Sequence, residues 1–589
     1  MNTATTETAE TPLTATATLR RPEPGSRPYV PLTSFVHRVE EAERVNALPP
    51  AELAARLDML AGRYTHVTAG VSHTFVLGEP SRGRSETTLA AKLAARGVLV
   101  SQYRNGSYVS QADRSRLLWG EAASVETRVP LGIGTWWPGQ RNLTTGSVAD
   151  PAARLAEDVD PAQTNIVVTT AAAHRPEGAP VTWPYLPSRG AGAAPGAGAS
   201  QNTHDVITWV RLEDEILRVR AVDDGGANLA LTVDRGYFGT APVAHPPGTR
   251  VLSPVYVGST AAVRWDYGLA GSPHVDRSDR TLRYALKIWQ GPHDGPQHDV
   301  ITWIAGRIRD TFGQGRPAPA LQGYNAVWLD ITGCDPYNNA DAYGHPVAPW
   351  ADPLETAMPR GQWGAYQIVK LNGLRRVLDE WGYPDLQFAI NNLAARGTEG
   401  DACLDRLLAH PGVAGAALEH WLSRSQLWEA QMAQHFRIQL HDWPGIYWAK
   451  SGEIGPQWTV DQYLRFTYGA YLLAYRPASR RSSYAAPFGL DAPPALFLWQ
   501  WGAPKSIPTS LDDLRTGNGG TVDESGTLYQ REFDNGMVLV NPGDLPVDWT
   551  LPTSMWNVSA ADRRSQEDSL PTRRVMVGAR DAAFLLAVT

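Results

Sequence analysis

The stretch Leu321–Asp335 reads LQGYNAVWLDITGCD. An apolar run closes on an aspartate, and a polar, glycine-containing loop follows. Such a run, bounded by turn signals, predicts a buried strand over Asn325–Asp330 with Asp330 at its C-terminal end. Working outward, seven more runs read as strands: 65–71, 98–103, 283–289, 387–391, 413–419, 445–450 and 495–500. Helical patterns lie between them at Glu86–Arg96, from Asp299 to about Phe312, at Gly361–Trp381 and at Asp461–Tyr475. Strands alternating with helices predict parallel βα units in an α/β fold. Eight such strands predict a closed (β/α)8 TIM barrel whose working face is the C-terminal ends of the strands. An open doubly wound sheet is the competing architecture, but no glycine-rich phosphate loop supports it.

The expected barrel is interrupted. Roughly 180 residues separate the second and third strand candidates, far beyond an ordinary connection. Part of that span is the linker PSRGAGAAPGAGASQ at Pro187–Gln201. Short strand patterns without helices follow it. The expected organisation is a flexible lead-in at 1–30, barrel at 31–159, a small all-β module at 160–260, barrel again at 261–505, and a C-terminal antiparallel β-sandwich at 506–589. The hexapeptide HDVITW occurs twice, at His204–Trp209 and His298–Trp303, first running into a strand pattern and then into a helical one.

Composition bounds the chemistry. The chain has 589 residues, 43% hydrophobic and 19% charged, with a sizeable core implied. A net charge of −7 argues against a nucleic-acid partner, which needs phosphate-neutralising lysines and arginines. No run approaches the ~18 apolar residues of a membrane span. Two cysteines exclude a disulfide framework and a cysteine-based metal centre. His293, His298 and His345 are scattered, so neither a metal nor another cofactor is expected. No secretory signal is visible at the N-terminus. The expected location is therefore cytoplasmic at synthesis. Trp outnumbers Phe by 21 to 11. Trp joins a large flat apolar face to one N–H donor, a match for sugar rings as well as for cores.

The strand ends carry the chemistry. Asp330 ends one strand, Asn391 and Asn392 follow the next, and Glu419 ends the one after. Beyond these come Trp448 and Lys450, then Trp499, Gln500 and Trp501. In a barrel all of these face one pocket. Two carboxylates across a pocket are what glycosidic cleavage needs: one protonates the leaving oxygen, the other attacks the anomeric carbon or activates water. Asp330 and Glu419 are the expected catalytic pair. Trp328, Tyr103, Asn391, Asn392, Trp448, Lys450, Trp499 and Gln500 are expected to contact a polysaccharide substrate. A salt bridge between Glu419 and Lys450 is the simpler alternative for those two.

The run RYALKIW, then a helix, then YNAVWLDITG resembles the barrel segment of the hypothetical glycoside hydrolase-like family numbered fifteen. It resembles spherulin-four-type polysaccharide hydrolases more distantly. The resemblance implies that Asp330, ending the fourth strand, is the catalytic carboxylate and that Glu419, ending the sixth, is its partner. Asn325–Ala326 stands where the family more often has Asp-Gly. In the insertion, Val233, Arg235, Gly236, Gly239, Thr240, Ala241, His245, Gly248 and Val251 resemble a small β module of phage tails and baseplates, with His245 as a turn or core residue. That likeness implies tail or particle proteins as partners, and action outside the cell from a virion or other particle. The readings kept beside a glycoside hydrolase acting on a bacterial cell-wall or surface glycan are a non-catalytic glycan-binding or structural tail component and a polysaccharide lyase.

Overall fold

The computed structural model describes residues 26–35, 39–69, 89–105, 108–110, 136–137, 154–169, 209–223, 228–236, 240–249, 251–254, 283–285, 300–313, 324–330, 332–334, 360–391, 398–419, 421–422, 428–449, 458–479, 481–485, 494–514, 528–559 and 570–588, with positions 19, 22 and 490. Eight parallel strands close a barrel: β1 (Leu32–Phe35), β2 (Tyr64–Ala69), β3 (Leu99–Asn105), β4 (Ala326–Asp330), β5 (Gln387–Asn391), β6 (Val413–Glu419), β7 (Gly445–Trp448) and β8 (Ser483–Ala485). Each pairs with its sequence neighbours, and β8 pairs with β1 to close the ring. Among the described helices are α1 (Val39–Asn46), α2 (Pro50–Arg63), α3 (Val300–Gly313), α4 (Arg360–Glu380), α5 (Thr398–Leu408), α6 (Trp428–Leu440) and α7 (Val460–Ala474). None of the described helices is long and apolar enough to cross a membrane.

Six expected strands stand in the wall and two do not. Arg283–Ala285 pairs antiparallel with Tyr108–Ser110 in a separate two-stranded sheet. Ala495–Phe497 is a 3-10 turn entered from Pro494, and Phe497 packs outside the wall against Tyr468 and Tyr484. Their places are taken by β1, LTSF, and β8, SYA. Both are short, and Thr33 and Ser483 point inward and share a 2.6 Å hydrogen bond. Polar inward positions leave no apolar run to read.

Side chains alternate across the wall. Val67, Val100, Val327, Leu329, Phe388, Ile390, Leu418 and Tyr447 face outward into one large core shared with the helices. Phe35, Trp328, Ala389, Ala417, Ile446, Trp448 and Ala485 form a separate core inside the barrel, where the alanines leave room for two indoles. Deeper still, His66 Nε2 lies 2.8 Å from the Ser101 hydroxyl, itself 3.0 Å from Thr68 Oγ1. Burial pushes His66 down to about 3, so it is an uncharged packing residue at neutral pH. Asn325, where the resembling family more often has aspartate, stitches β4 to β3. It accepts from Val100 N at 2.6 Å and donates to Val98 O at 3.0 Å.

The two cysteines, read as excluding a disulfide framework, do form one bridge, Cys334–Cys403. It ties the loop after β4 to α5, with Cα atoms 5.8 Å apart. The partners are 69 residues apart in sequence and meet only because β4 and β5 are barrel neighbours. Gly364 on α4 makes the space: a Cβ there would lie 2.2 Å from Cys403 Sγ. A cross-link of this span contributes about 2–4 kcal/mol, chiefly by restricting the unfolded chain. Reductant, or Cys334→Ser with Cys403→Ser, is expected to lower the urea midpoint accordingly. Identical midpoints with and without reductant would show that the bridge does not form.

The inserted module is a seven-stranded sheet in the order Trp136–Trp137, Val251–Pro254, Trp209–Leu212, Glu215–Asp223, Asn228–Asp234, Asn165–Thr169 and Arg154–Leu155. It thus draws strands from before residue 160 as well as after. Ile166, Val168, Val210, Leu212, Leu217, Leu231 and Val251 belong to its core. His245 is buried against Glu215, a core residue as expected.

At the C-terminus, the described strands form one five-stranded antiparallel sheet: Tyr529–Phe533, Gly536–Asn541, Asp581–Ala587, Val547–Asn557 and Thr572–Val577. Alternation again divides it. Val538, Val540 and Phe584 join the barrel's outer core, while Met537, Leu539 and Leu585 join a core shared with Val547, Leu551 and Val575. Buried Arg531 locks this sheet to the barrel by donating to the Leu472 and Tyr475 carbonyls, each at 2.6 Å, at the C-terminal end of α7. A cation suits that end of a helix.

Candidate active site

Three consecutive wall strands end in Asp330, Asn391 and Glu419. Register aligns them: Leu329 pairs with Ile390, and Asn391 pairs with Ala417, two residues before Glu419. All three side chains therefore point to one face of the ring. The Asn391 amide nitrogen lies 2.8 Å from Asp330 Oδ1 and 2.6 Å from Glu419 Oε2. One –NH2 group thus donates one hydrogen to each carboxylate. Both acceptor oxygens bond the same nitrogen, at 2.8 and 2.6 Å, so they lie no farther apart than the two bonds laid end to end, about 5.4 Å. From β3, the Tyr103 hydroxyl donates to the other oxygen of Asp330. Asp330 and Glu419 are both half-buried.

The expected indole platform is a floor instead. Trp328 is fully buried one layer below Asp330, edge-on to Phe35 and Trp448 at ring distances of 5.2 and 6.4 Å. Strand alternation places it inward, as expected, but the small Ala389 and Ala417 let it sink into the barrel core, out of a substrate's reach. Trp448 is also buried, with one face covered by Phe35 stacked at 3.9 Å. Trp499 lies in the core outside the wall. Gln500 turns its amide to the Arg27 and Leu498 carbonyls. Both follow the 3-10 turn that replaces the expected last strand, which removes them from the strand ends. Trp421 donates to Thr467 O behind the wall, and Trp501 packs on Phe533 and Phe584 of the C-terminal sheet. Asn392 and Lys450 lie outside the described residues, so the alternative Glu419–Lys450 pair does too.

The structure adds residues that the sequence reading missed. The loop leaving Asp330 is pinned at Thr332, whose N–H donates to the Asn391 carbonyl at 3.1 Å. Lys370 on α4 donates from Nζ to Thr332 Oγ1 at 2.8 Å and is fully buried. Burial drives this ammonium well below its ordinary value, and the Asp330 charge pulls it back up. The only sequence cue was weak: Lys370 stands between Val369 and Leu371, with Gln367 and Asn372 close by.

No family model and no curated protein matches the chain. Solved structures with similar folds include the α-glucosyl transfer enzyme XgtA, at 11% identity and TM-score 0.35, covering 95% of this chain and 98% of that one. Amy13B of Eubacterium rectale has 7% identity and TM-score 0.35, covering 96% and 97%. The trehalose-6-phosphate hydrolase TreA of Bacillus licheniformis has 11% identity and TM-score 0.30, covering 95% and 99%. Likeness at this level carries no weight on the chemistry, which rests on the carboxylate geometry.

Proposed function

We infer that the chain is a glycoside hydrolase that cleaves a polysaccharide with retention at the anomeric carbon. The observation that carries this reading is the single Asn391 amide bound to both Asp330 and Glu419. It holds the carboxylates near the ~5–5.5 Å spacing of retaining enzymes, too close for the water that inverting enzymes admit at ~6.5–9.5 Å. Asp330, held in place by Tyr103 and Asn391, attacks the anomeric carbon. Glu419 gives its proton to the leaving oxygen as the glycosidic bond breaks. The resulting glycosyl ester on Asp330 is then opened by water, whose proton returns to Glu419. The resemblance of YNAVWLDITG to the fourth strand of family fifteen implies Asp330 as a catalytic carboxylate with Glu419 as its partner, without assigning which of them attacks.

A bacterial cell-wall or surface glycan is the proposed substrate. A disulfide beside the site suits work outside a reducing cytosol. Carriage on a tail-like particle rests on the module resemblance alone. The test is a panel of defined glycans, with the anomer of the first product followed by NMR. Retention is expected. An inverted product would refute the covalent step, an unsaturated product would favour a lyase, and binding without any product would favour a glycan-binding component.

A further inference from the structure

The turn that leaves β6 holds a strained residue three positions beyond Glu419. Leu422 has a φ of +53°, in the left-handed region where an L side chain crowds the following carbonyl oxygen. Among the described residues, the other non-glycine positions with positive φ are Glu213, Asp442 and Arg580. None of those three is buried, whereas Leu422 is 1% exposed and belongs to the large core outside the wall. A buried leucine persists in that conformation only where its surroundings over-determine it. Four hydrogen bonds do so here. Trp421 N donates to the Trp448 carbonyl at the end of β7, at 3.1 Å. The Trp421 indole donates to Thr467 O at 3.2 Å, and the Tyr463 hydroxyl on α7 donates to Trp421 O at 2.8 Å. The strained residue itself is held by a side chain: Leu422 N donates to Gln431 Oε1 at 2.7 Å. Gln431 lies in the first turn of α6 and reaches back nine residues to make this bond.

We propose that Gln431 is a positioning residue for Glu419: by holding the Leu422 N–H it keeps the turn after β6 in its strained form, and that turn sets where the Glu419 carboxylate stands. The chain makes the link. Glu419 pairs in register with Trp448, the same residue whose carbonyl takes Trp421 N, so strand end and turn are tied to one point of β7. Relaxing Leu422 to a negative φ redirects the chain at that corner and pulls on the strand end. The tolerance there is small, because Glu419 Oε2 accepts at 2.6 Å from the Asn391 amide that also holds Asp330. This deepens the hydrolase reading and rests on it for its catalytic meaning, while the geometric coupling does not depend on any substrate.

The experiment compares Gln431→Met, which keeps the length of the side chain and removes the acceptor oxygen, with Gln431→Glu, which keeps an acceptor. Gln431 is half-buried, and both replacements keep its bulk. The full chain is labelled with 15N in leucine and asparagine and followed by NMR. The Asn391 side-chain signals are assigned by their loss in Asn391→Ser, and Glu419→Ala identifies the proton that faces Glu419. In Gln431→Met the Leu422 amide is expected to exchange with solvent about tenfold faster, as one hydrogen bond is lost. The Asn391 proton facing Glu419 is expected to move upfield, and the one facing Asp330 to stay. Gln431→Glu should restore both. An unchanged Leu422 exchange rate, or an unmoved Asn391 proton, in Gln431→Met would overturn the proposal. Where a glycan is turned over, Gln431→Met is expected to lower kcat on a sugar-on-sugar bond by about tenfold at unchanged KM. The first step on an aryl glycoside with an acidic phenol needs no proton from Glu419 and should keep its rate, a split that a merely structural role would not produce. Equal losses on the two substrates would overturn the positioning role. Failure of every glycan to react would sink the hydrolase reading, while the exchange rate and the Asn391 proton would still decide the coupling.

Discussion

Asp330→Asn is expected to abolish turnover of every substrate, whatever its leaving group, by about 10⁴-fold or more, while Glu419→Gln is expected to be selective. A positioned acid or base supplies 10²–10⁴-fold. That contribution matters most when the departing oxygen is a poor leaving group. For a sugar-on-sugar bond, Glu419→Gln should therefore lose most of that range. An aryl glycoside of the same sugar with an acidic phenol departs without a proton. Its first step should be nearly untouched, and the glycosyl ester on Asp330 should accumulate, because the variant has no base for the second step. Added azide, which needs no base, should release that ester as a glycosyl azide of retained configuration. Asp330→Asn has no nucleophile to form the ester, so both substrates should fail. Neither substitution touches the barrel core, since both side chains project from strand ends. The measurement is kcat and kcat/KM on the two substrates, with mass spectrometry for the trapped ester. Equal losses on both substrates for both variants would contradict the assigned roles. An ester found on Glu419 would reverse them.

The same strand ends show how much of the fold could be read from the chain. Central wall strands such as NAVWLD and VAGAALE are buried on both faces, so they read as continuous apolar runs. Asp330, Asn391 and Glu419 stood out because each ends such a run. β1 and β8 lacked that signal, because their inward positions carry Thr33 and Ser483. The run ALFLWQ has a strand's composition, but Pro494 and local 3-10 bonds turn it, and Phe497 packs against Tyr468 and Tyr484. Composition could not locate the tryptophans either. Trp328 and Trp448 lie on the expected face yet sink below the site, and Trp421 and Trp499 fill the layer behind the wall. The repeated hexapeptide makes the same point: Trp209 opens a strand, whereas Trp303 lies within α3. What covers a residue depends on neighbours distant in sequence, and the Cys334–Cys403 bridge is the plainest case.

Glu215→Ala is expected to unfold the inserted module at neutral pH while leaving the barrel folded. The Glu215 side chain is wholly buried and answers four donors. Arg235 binds both of its oxygens at 2.7 Å, Gly236 N lies at 3.0 Å, Val243 N at 3.2 Å and His245 Nε2 at 2.9 Å. Arg235 also donates to the Asp160 carbonyl at 2.5 Å and the Val243 carbonyl at 2.6 Å, so one ion pair gathers three loops. Gly236 allows the turn: its φ is +60°, and a Cβ there would lie 2.8 Å from Pro242. Removing the carboxylate strands a nearly buried guanidinium and two backbone N–H groups, a loss of about 3–5 kcal/mol. Glu215→Gln restores the shape but not the charge, and is expected to recover only part of that. The pH dependence follows from the same contacts. Burial raises the Glu215 carboxyl, but the hydrogen bonds from Arg235, His245, Gly236 and Val243 outweigh it and hold it below its ordinary value. A depressed carboxyl contributes stability that is fully present above its unfolded value, and that is lost as pH falls through the folded one. Acid should therefore loosen the wild-type module and leave Glu215→Gln comparatively indifferent over the same range. Hydrogen exchange in Glu215–Asp223 and Asn228–Asp234 reads this directly, with β4 and β6 as internal controls. Equal protection of those strands in wild type and Glu215→Ala would refute the ion pair as the module's keystone.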